Sequence, residues 1–382
     1  MKTTTLGSIT EIEPEAWNSI VGRNRLICRH EFLLAVESSK INDCRYFYPV
    51  VHDDDGRMIA HACLYYISTE LDSFAQGFVK KVITGIRKIW KSFLILRSIE
   101  CGTPVALGNT ISFAEGIDKA AAMEAIVKEA EAVARQLKVP VILFRDFYAG
   151  ELSFFDRLLG AGYRRVANLS GASFSVRWPT FQAYLESLRS QYRRIIRKRL
   201  NAFHAAGYEF RVVRDYAPMV GDLERLWKNT YDHATEYRRE RLEAVLFLEI
   251  KRCLGERAGI LLVEKAGCPV AFSLLLEDDD TLITLFCGLD YSCSRDSYIY
   301  FNLFYKSIEV AIGRRKREID FGITTLVPKV EVGGEVVPLT MYMKCTIPGV
   351  GLAVPSMFAI MTPRQKVQAR QIFKTTEGGQ AE

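Results

Sequence analysis

The sequence has no C-x-x-C pair, no two histidines at metal-ligand spacing and no G-x-S-x-G turn. Each absence removes a class of function. Zinc and iron sites need clustered ligands, and the five histidines (His30, His52, His61, His204 and His233) are dispersed, so no metal is expected. None of them pairs with a serine or cysteine nucleophile, which leaves a Ser-His-Asp hydrolase without support. The nine cysteines are odd in number and scattered, the usage of reduced thiols rather than of a disulfide framework. No apolar run reaches the roughly 18 residues of a membrane span. The opening MKTTTLGSITEIEPEAW has no apolar signal-peptide core, so the expected location is the cytoplasm. A net charge of +6 permits a phosphate-rich partner without requiring nucleic acid, and no DNA partner is expected.

What is present is an ordinary globular composition, 49% hydrophobic and 25% charged, over 382 residues, enough for two domains. One pattern occurs twice. Residues 46–66 hold two apolar runs about Asp53-Asp54-Asp55-Gly56, and residues 260–276 hold two about Gly267; both spell hairpins. A helix follows each. Ala122, Ile126, Ala130, Val133 and Leu137 mark one at about 118–137; Phe301, Phe304, Tyr305, Ile308 and Ile312 mark the other at about 298–312. A short strand follows each helix, Val141 to Phe147 and Glu318 to Ile323. Hairpin, helix, strand, twice over, predicts two copies of one α/β unit with mixed sheets. A boundary is read at Trp178-Pro179, where proline suits the first turn of a helix. The division is then 1–177, 178–348 and a partly disordered extension 349–382. One helix is expected from Thr180 to about Ala206, with Phe181, Leu185, Leu188, Tyr192, Ile195 and Phe203 as its apolar stripe. Further helices are expected at about 221–234 and 240–254.

From Trp178 onward the sequence resembles the Fem-type and BioF2-like branch of the GNAT acyltransferase superfamily. The resemblance is carried by FQAYLESLRSQYRRIIRKRL with a following strand, by the hairpin GCPVAFSLLL, and by REIDFGI followed by Pro328-Lys329 and Gly333. The stretch around CRHEFLLAVESS and the first hairpin are similar to the same group. The resemblance implies tandem GNAT-like folds. It also implies transfer of an acyl or aminoacyl group to an amine, from acyl-CoA, acyl-carrier protein or aminoacyl-tRNA, with no tightly bound cofactor. The chain departs from the superfamily at one place. The only match to its pyrophosphate loop, Arg157-Leu-Leu-Gly160-Ala-Gly162, sits where a helix ends, and a glycine there reads as a cap.

Asp320 is the one acid between apolar residues in its strand. A raised pKa would suit it as general base for the amine; a structural carboxylate is the alternative. Lys329 would stabilise an oxyanion or a donor phosphate, or lie on the surface. Tyr298 would protonate a leaving thiolate. Tyr300 and Asn302 open the same helix and join Tyr298 in the donor region, with core packing as the alternative. Arg193, Arg194, Arg197 and Lys198 form a basic cluster at helical spacing, suited to phosphate or simply solvated. Residues 72–97 insert a basic amphipathic stretch. Its apolar side, 74–93, would either touch an anionic membrane surface, on the inner face, or pack on a core. The reading is an N-acyltransferase acting on a small-molecule or precursor amine, with an aminoacyl-tRNA-dependent transferase and a non-catalytic scaffold as the other two readings.

Overall fold

A computed structural model describes residues 1–70, 85, 95–234, 239–293, 297–323, 325–347 and 370–374. The expected membrane-contacting stretch 74–93 lies outside them apart from Gly85, as does most of 349–382. The chain divides into two compact units. The first comprises 1–170, 233–255 and 338–364; the second comprises 171–232, 256–337 and 365–382.

Strands of the first half are β1 (Lys2–Leu6), β2 (Arg45–His52), β3 (Met58–His61), β4 (Leu64–Glu70), β5 (Ile95–Cys101), β6 (Ser112–Phe113), β7 (Val141–Phe147), β8 (Arg164–Ala167) and β9 (Gly171–Ser175). Those of the second are β10 (Tyr208–Val213), β11 (Ala258–Lys265), β12 (Cys268–Glu277), β13 (Thr281–Leu289), β14 (Glu318–Ile323), β15 (Glu335–Val337) and β16 (Thr340–Cys345). The first sheet contains the path β1-β2-β4-β5-β7-β16-β8, extended by β3 and β6. The second runs β10-β11-β12-β13-β14-β9-β15. Position by position the two paths agree in direction. Each has a single parallel pair at its centre, β5 with β7 and β13 with β14, and antiparallel neighbours elsewhere. The duplication expected from the sequence is therefore present.

The crossover helix of each parallel pair packs on its own sheet. Helix Lys119–Gln136 is capped by Asp118, whose side chain accepts from Ala120 and Ala121, and buries Ala122, Ile126, Ala130 and Val133. Helix Ile299–Gly313 buries Phe304, Tyr305, Ile308 and Ile312. Both hairpins turn where expected. Gly56 and Gly267 take positive φ, and Ala266 joins Gly267 in the left-handed region, as a tight two-residue turn requires.

Two expectations need correction. The helix from Thr180 is two helices, Phe181–Ser187 and Ser190–Ala205, because Leu188 and Arg189 are extended (ψ 147° at both). The break shifts the phase of the buried face. Ile196 is buried, whereas Ile195 is exposed. The boundary read at 177/178 falls inside the second unit, which already begins at Gly171. Strand β9 pairs there with β14, Ser175 opposite Glu318. In return β16, from the far end of the second half, fills the same sheet position in the first unit. Helix Ala244–Leu254 also belongs to the first unit, packed on helix His30–Ser38.

Candidate functional site

The second unit's parallel pair is short. Thr281, Leu282 and Ile283 of β13 pair with Glu318, Ile319 and Asp320 of β14, and then the two strands part. Asp320 stands at the fork. Beyond it β14 carries a bulge, since Ser173 pairs with Asp320 but Gly171 with Ile323. Gly322, at φ +70°, supplies the left-handed residue of that bulge. Its N–H donates to Asp320 Oδ1 at 2.7 Å, and Thr284 Oγ1 on β13 donates to the Asp320 carbonyl at 3.1 Å. Burial raises the Asp320 carboxyl above the usual range; the Gly322 N–H and the charge of Lys329 oppose that rise. The result is a carboxylate more basic than a surface aspartate.

Lys329 lies in the short helix Leu326–Glu331 and is 3% exposed. Its ammonium donates to the carbonyls of Gly322 (3.0 Å) and Ile323 (2.7 Å), which tie off the end of β14. Burial draws its pKa down to about 8, while Asp320 and Cys287 act to hold the proton. The surface alternative for this lysine does not hold. Across the fork, on β13, burial pushes the Cys287 thiol up to about 11 against the pull of Lys329. Tyr300 is raised by burial, with Thr325 acting against that rise. Thus Asp320, Lys329, Cys287 and Tyr300 gather about the fork between the two strands.

The other predicted residues are distributed around it. Tyr298 caps helix Ile299–Gly313 at φ +53° and lies beside the Arg199 guanidinium, 5.7 Å from its ring centroid. Asn302 is fully buried. Its Nδ2 donates to the carbonyls of Tyr298 (3.0 Å) and Arg199 (3.3 Å), tying the helix start to helix Ser190–Ala205. Arg193 turns its guanidinium back on the carbonyls of Glu186 (3.3 Å) and Leu188 (3.4 Å), at the helix break. Arg194, Arg197 and Lys198 are exposed and make no ion pair among the described residues. The sequence reading missed Cys287 and Thr325. Both sit among apolar or small residues with no motif to mark them.

The equivalent fork in the first unit is built otherwise. Ser98 to Cys101 pair with Val141 to Phe144, after which β7 bulges at Asp146, φ +66°, the position that Gly322 holds in β14. Arg145 crosses the fork: a Cβ on Gly102 would lie 2.9 Å from its Cγ. Its guanidinium is held by Glu100 (3.0 Å), Asp146 (2.8 Å) and the Tyr65 hydroxyl (2.8 Å), and Arg239 binds the other Glu100 oxygen at 2.6 Å. Burial alone would raise Glu100, but Arg239 and Arg145 hold it at about 2. The arrangement is a buried ion network. The glycines of Arg157-Leu-Leu-Gly160-Ala-Gly162 end helix Arg157–Gly160, with Gly162 at φ +85°. Among the described residues no group of three or more His, Cys, Asp or Glu side chains could hold a metal.

Two sheets of one order, each with a forked central parallel pair behind a crossover helix, are GNAT folds in tandem. Solved structures agree. FemX superposes with a TM-score of 0.57 at 12% identity, over 94% of this chain and 100% of that one. The tandem GNAT protein from the clavulanic acid biosynthesis pathway gives 0.53 at 10% identity, over 91% and 100%. L-PGS from Bacillus licheniformis gives 0.52 at 12% identity, over 94% and 99%. Residues 8–325 match the FemAB-like family, described by peptidoglycan biosynthesis and recognition, and the chain belongs to this family. It is also 25% identical over 320 residues to the putative 8-amino-7-oxononanoate synthase 2 of two Mycobacterium tuberculosis strains. That match covers 82% of this chain and 42% of theirs, so the chain spans less than half the length of these relatives. No helix among the described residues is long and apolar enough to cross a membrane.

Proposed function

We propose that the second unit transfers an acyl group from a thioester donor, acyl-CoA or acyl-carrier protein, to an amine of a small molecule or cell-envelope precursor. The observation that carries the reading is Asp320 at the fork of β13 and β14, a half-buried carboxylate of raised basicity where the two strands part. The amine nitrogen attacks the thioester carbon and its proton passes to Asp320. The carbon–sulfur bond then breaks, and the leaving thiolate takes a proton, for which Tyr298 is placed at the start of the crossover helix. Lys329, with two of its three N–H groups on strand carbonyls, keeps one for the developing oxyanion. The exposed Arg194, Arg197 and Lys198 supply positive charge for a donor's phosphates. An aminoacyl-tRNA donor is the second reading, favoured by membership of the FemAB-like family.

The test is thiol release from a panel of acyl-CoA donors in the presence of amine acceptors. Asp320→Asn is expected to lower the rate by about 10²–10⁴-fold while the protein stays folded. The wild-type pH profile should fall at low pH as Asp320 takes a proton. It should fall again through about pH 8 as Lys329 loses one. The asparagine variant should lack the acidic limb only. A near-wild-type rate for that variant across pH 6–9 would return Asp320 to a structural role.

A further inference from the structure

Residues 370–374, part of a stretch read from sequence as an appendage, pack inside the second unit. They enter the break between helices Phe181–Ser187 and Ser190–Ala205. Leu188 and Phe373 form an antiparallel bridge. The Arg189 N–H donates to the Ile372 carbonyl at 2.9 Å, and the Lys374 N–H to the Ser187 carbonyl at 2.8 Å. The Arg189 guanidinium adds a bond to Gln371 at 2.6 Å. Ile372 is 1% exposed, and the Phe373 ring lies 5.1 Å from Trp178. Backbone groups freed by the break thus find partners in this segment.

The same five residues reach the turn that follows Lys329. A Cβ on Gly333 would stand 2.5 Å from Phe373 Cζ, so the ring closes on that turn because residue 333 has no side chain. Arg370 bonds one oxygen of Glu331 at 2.9 Å. Arg199 takes the other at 3.2 Å and continues to the Tyr305 hydroxyl at 3.0 Å, on the crossover helix. Tyr184, whose ring lies 6.4 Å from that of Phe373, donates to the Val332 carbonyl at 2.8 Å. Helix Leu326–Glu331 has six residues, contains Pro328 and starts at a strained Thr325 (φ +45°). A helix so short has little stability of its own. Its place, and with it the place of Lys329, is set by what grips its end.

We infer that residues 370–374 are a strap that positions Lys329 at the fork, with Phe373 and Arg370 as its positioning residues. The inference rests on the proposed function only in counting Lys329 as part of the site. Its effect is read on the lysine itself, so failure of acyl transfer and failure of the strap are separate results. Lys329 is faced by Asp320 from β14 and Cys287 from β13, with Glu331 on its own helix engaged by Arg199 and Arg370. None of these charges belongs to Phe373. A change in the lysine's titration on altering that ring would therefore report access of water to the ammonium.

The experiment uses the full chain and the variants Phe373→Ala, Phe373→Leu and Arg370→Gln. Hydrogen exchange is followed in peptides covering 325–334, with β11–β12 peptides as the reference. Lys329 is titrated by pH-dependent labelling with acetic anhydride, read by mass spectrometry. Phe373→Ala should speed exchange of 325–334 about ten-fold while the reference stays within about two-fold. It should also raise the midpoint for Lys329 from about 8 toward the ordinary lysine value. Arg370→Gln should act in the same direction but less, and Phe373→Leu should restore most of the wild-type behaviour. Exchange and titration unchanged in both Phe373→Ala and Arg370→Gln would overturn the strap. Should Phe373→Ala unfold the whole unit, exchange of 325–334 and a Lys329 titration both left unmoved by Arg370→Gln would overturn it equally, leaving Phe373 as core packing alone.

Discussion

His61 is completely buried, its ring stacked on Trp17 at 3.5 Å and its Nε2 hydrogen-bonded to the Trp17 carbonyl at 3.1 Å. Burial drives its pKa down to about 3, against the favourable carbonyl bond. The unfolded chain therefore takes up a proton between pH 6.5 and 3 that the native state refuses. The stability tied to a neutral His61 is whole above pH 6.5 and falls as the pH drops through that window. At about 1.4 kcal/mol per pH unit, lowering the pH from 6.5 to 4.5 should cost about 2–3 kcal/mol through this residue alone. His61→Gln keeps a donor for the carbonyl and removes the titration. Urea unfolding at the two pH values should show a correspondingly smaller loss for the variant. Glu100, held at about 2, contributes in a different window: its share is lost only as pH falls from 4.5 toward 2. At this scale the sequence told much about Asp320, because one acid between Ile319 and Phe321 in a strand must be either paired or purposeful. It told nothing about Cys287 or Thr325. Their neighbours, Lys329 for Cys287 and Tyr300 for Thr325, lie far from them in the chain, where no local pattern reaches.

Among the elements, the bulge on the strand after each crossover helix is the clearest internal repeat beyond strand order. Asp146 occupies the left-handed position in β7 and Gly322 occupies it in β14. Asp146 is fully buried and takes bonds from Arg145 (2.8 Å) and Asn168 (2.6 Å), whereas the Gly322 carbonyl takes the ammonium of Lys329. A Cβ at Gly322 would meet nothing nearer than 3.8 Å, so the cost of a side chain there is one of backbone conformation. Asparagine and aspartate tolerate the left-handed region and β-branched residues do not. Gly322→Asn should therefore lose less than about 1 kcal/mol, and Gly322→Val about 2 kcal/mol or more, as read from denaturant midpoints. Equal losses for the two would mean that something other than φ governs the site. The strands and crossover helices were legible because their apolar residues keep strict period. The break at Leu188–Arg189 was not. Both residues suit a helix by composition, and what opens it is a segment from about 180 positions later in the chain.

At the scale of the whole chain, the two sheets exchange one strand each. The sixth position of the first sheet is filled by β16, between β7 and β8, and the sixth of the second by β9, between β14 and β15. The residues that precede each exchanged strand belong to the other sheet: β8 leads into β9, and β15 into β16. A duplicated sequence pattern shows that there are two copies but not which copy receives a given strand, since β9 and β16 are antiparallel to their neighbours in either setting. This is why a cut near residue 178 looked natural in the sequence. The consequence is physical. A chain ending at residue 177 keeps β7 and β8 but lacks β16, leaving two bare strand edges in the middle of a sheet, and it also lacks helix Ala244–Leu254. It carries β9 with no strand to pair it. Unpaired central edges leave backbone groups without partners and invite association. The fragment 1–177 should therefore lack a cooperative urea transition and should aggregate, and a fragment 178–382 should do the same for want of β9. Mixing the two should recover some native circular dichroism if the exchanged strands can still find their sheets. A cooperative transition in isolated 1–177 would show that the first sheet closes without β16, and that the exchange is a feature of connection rather than of stability.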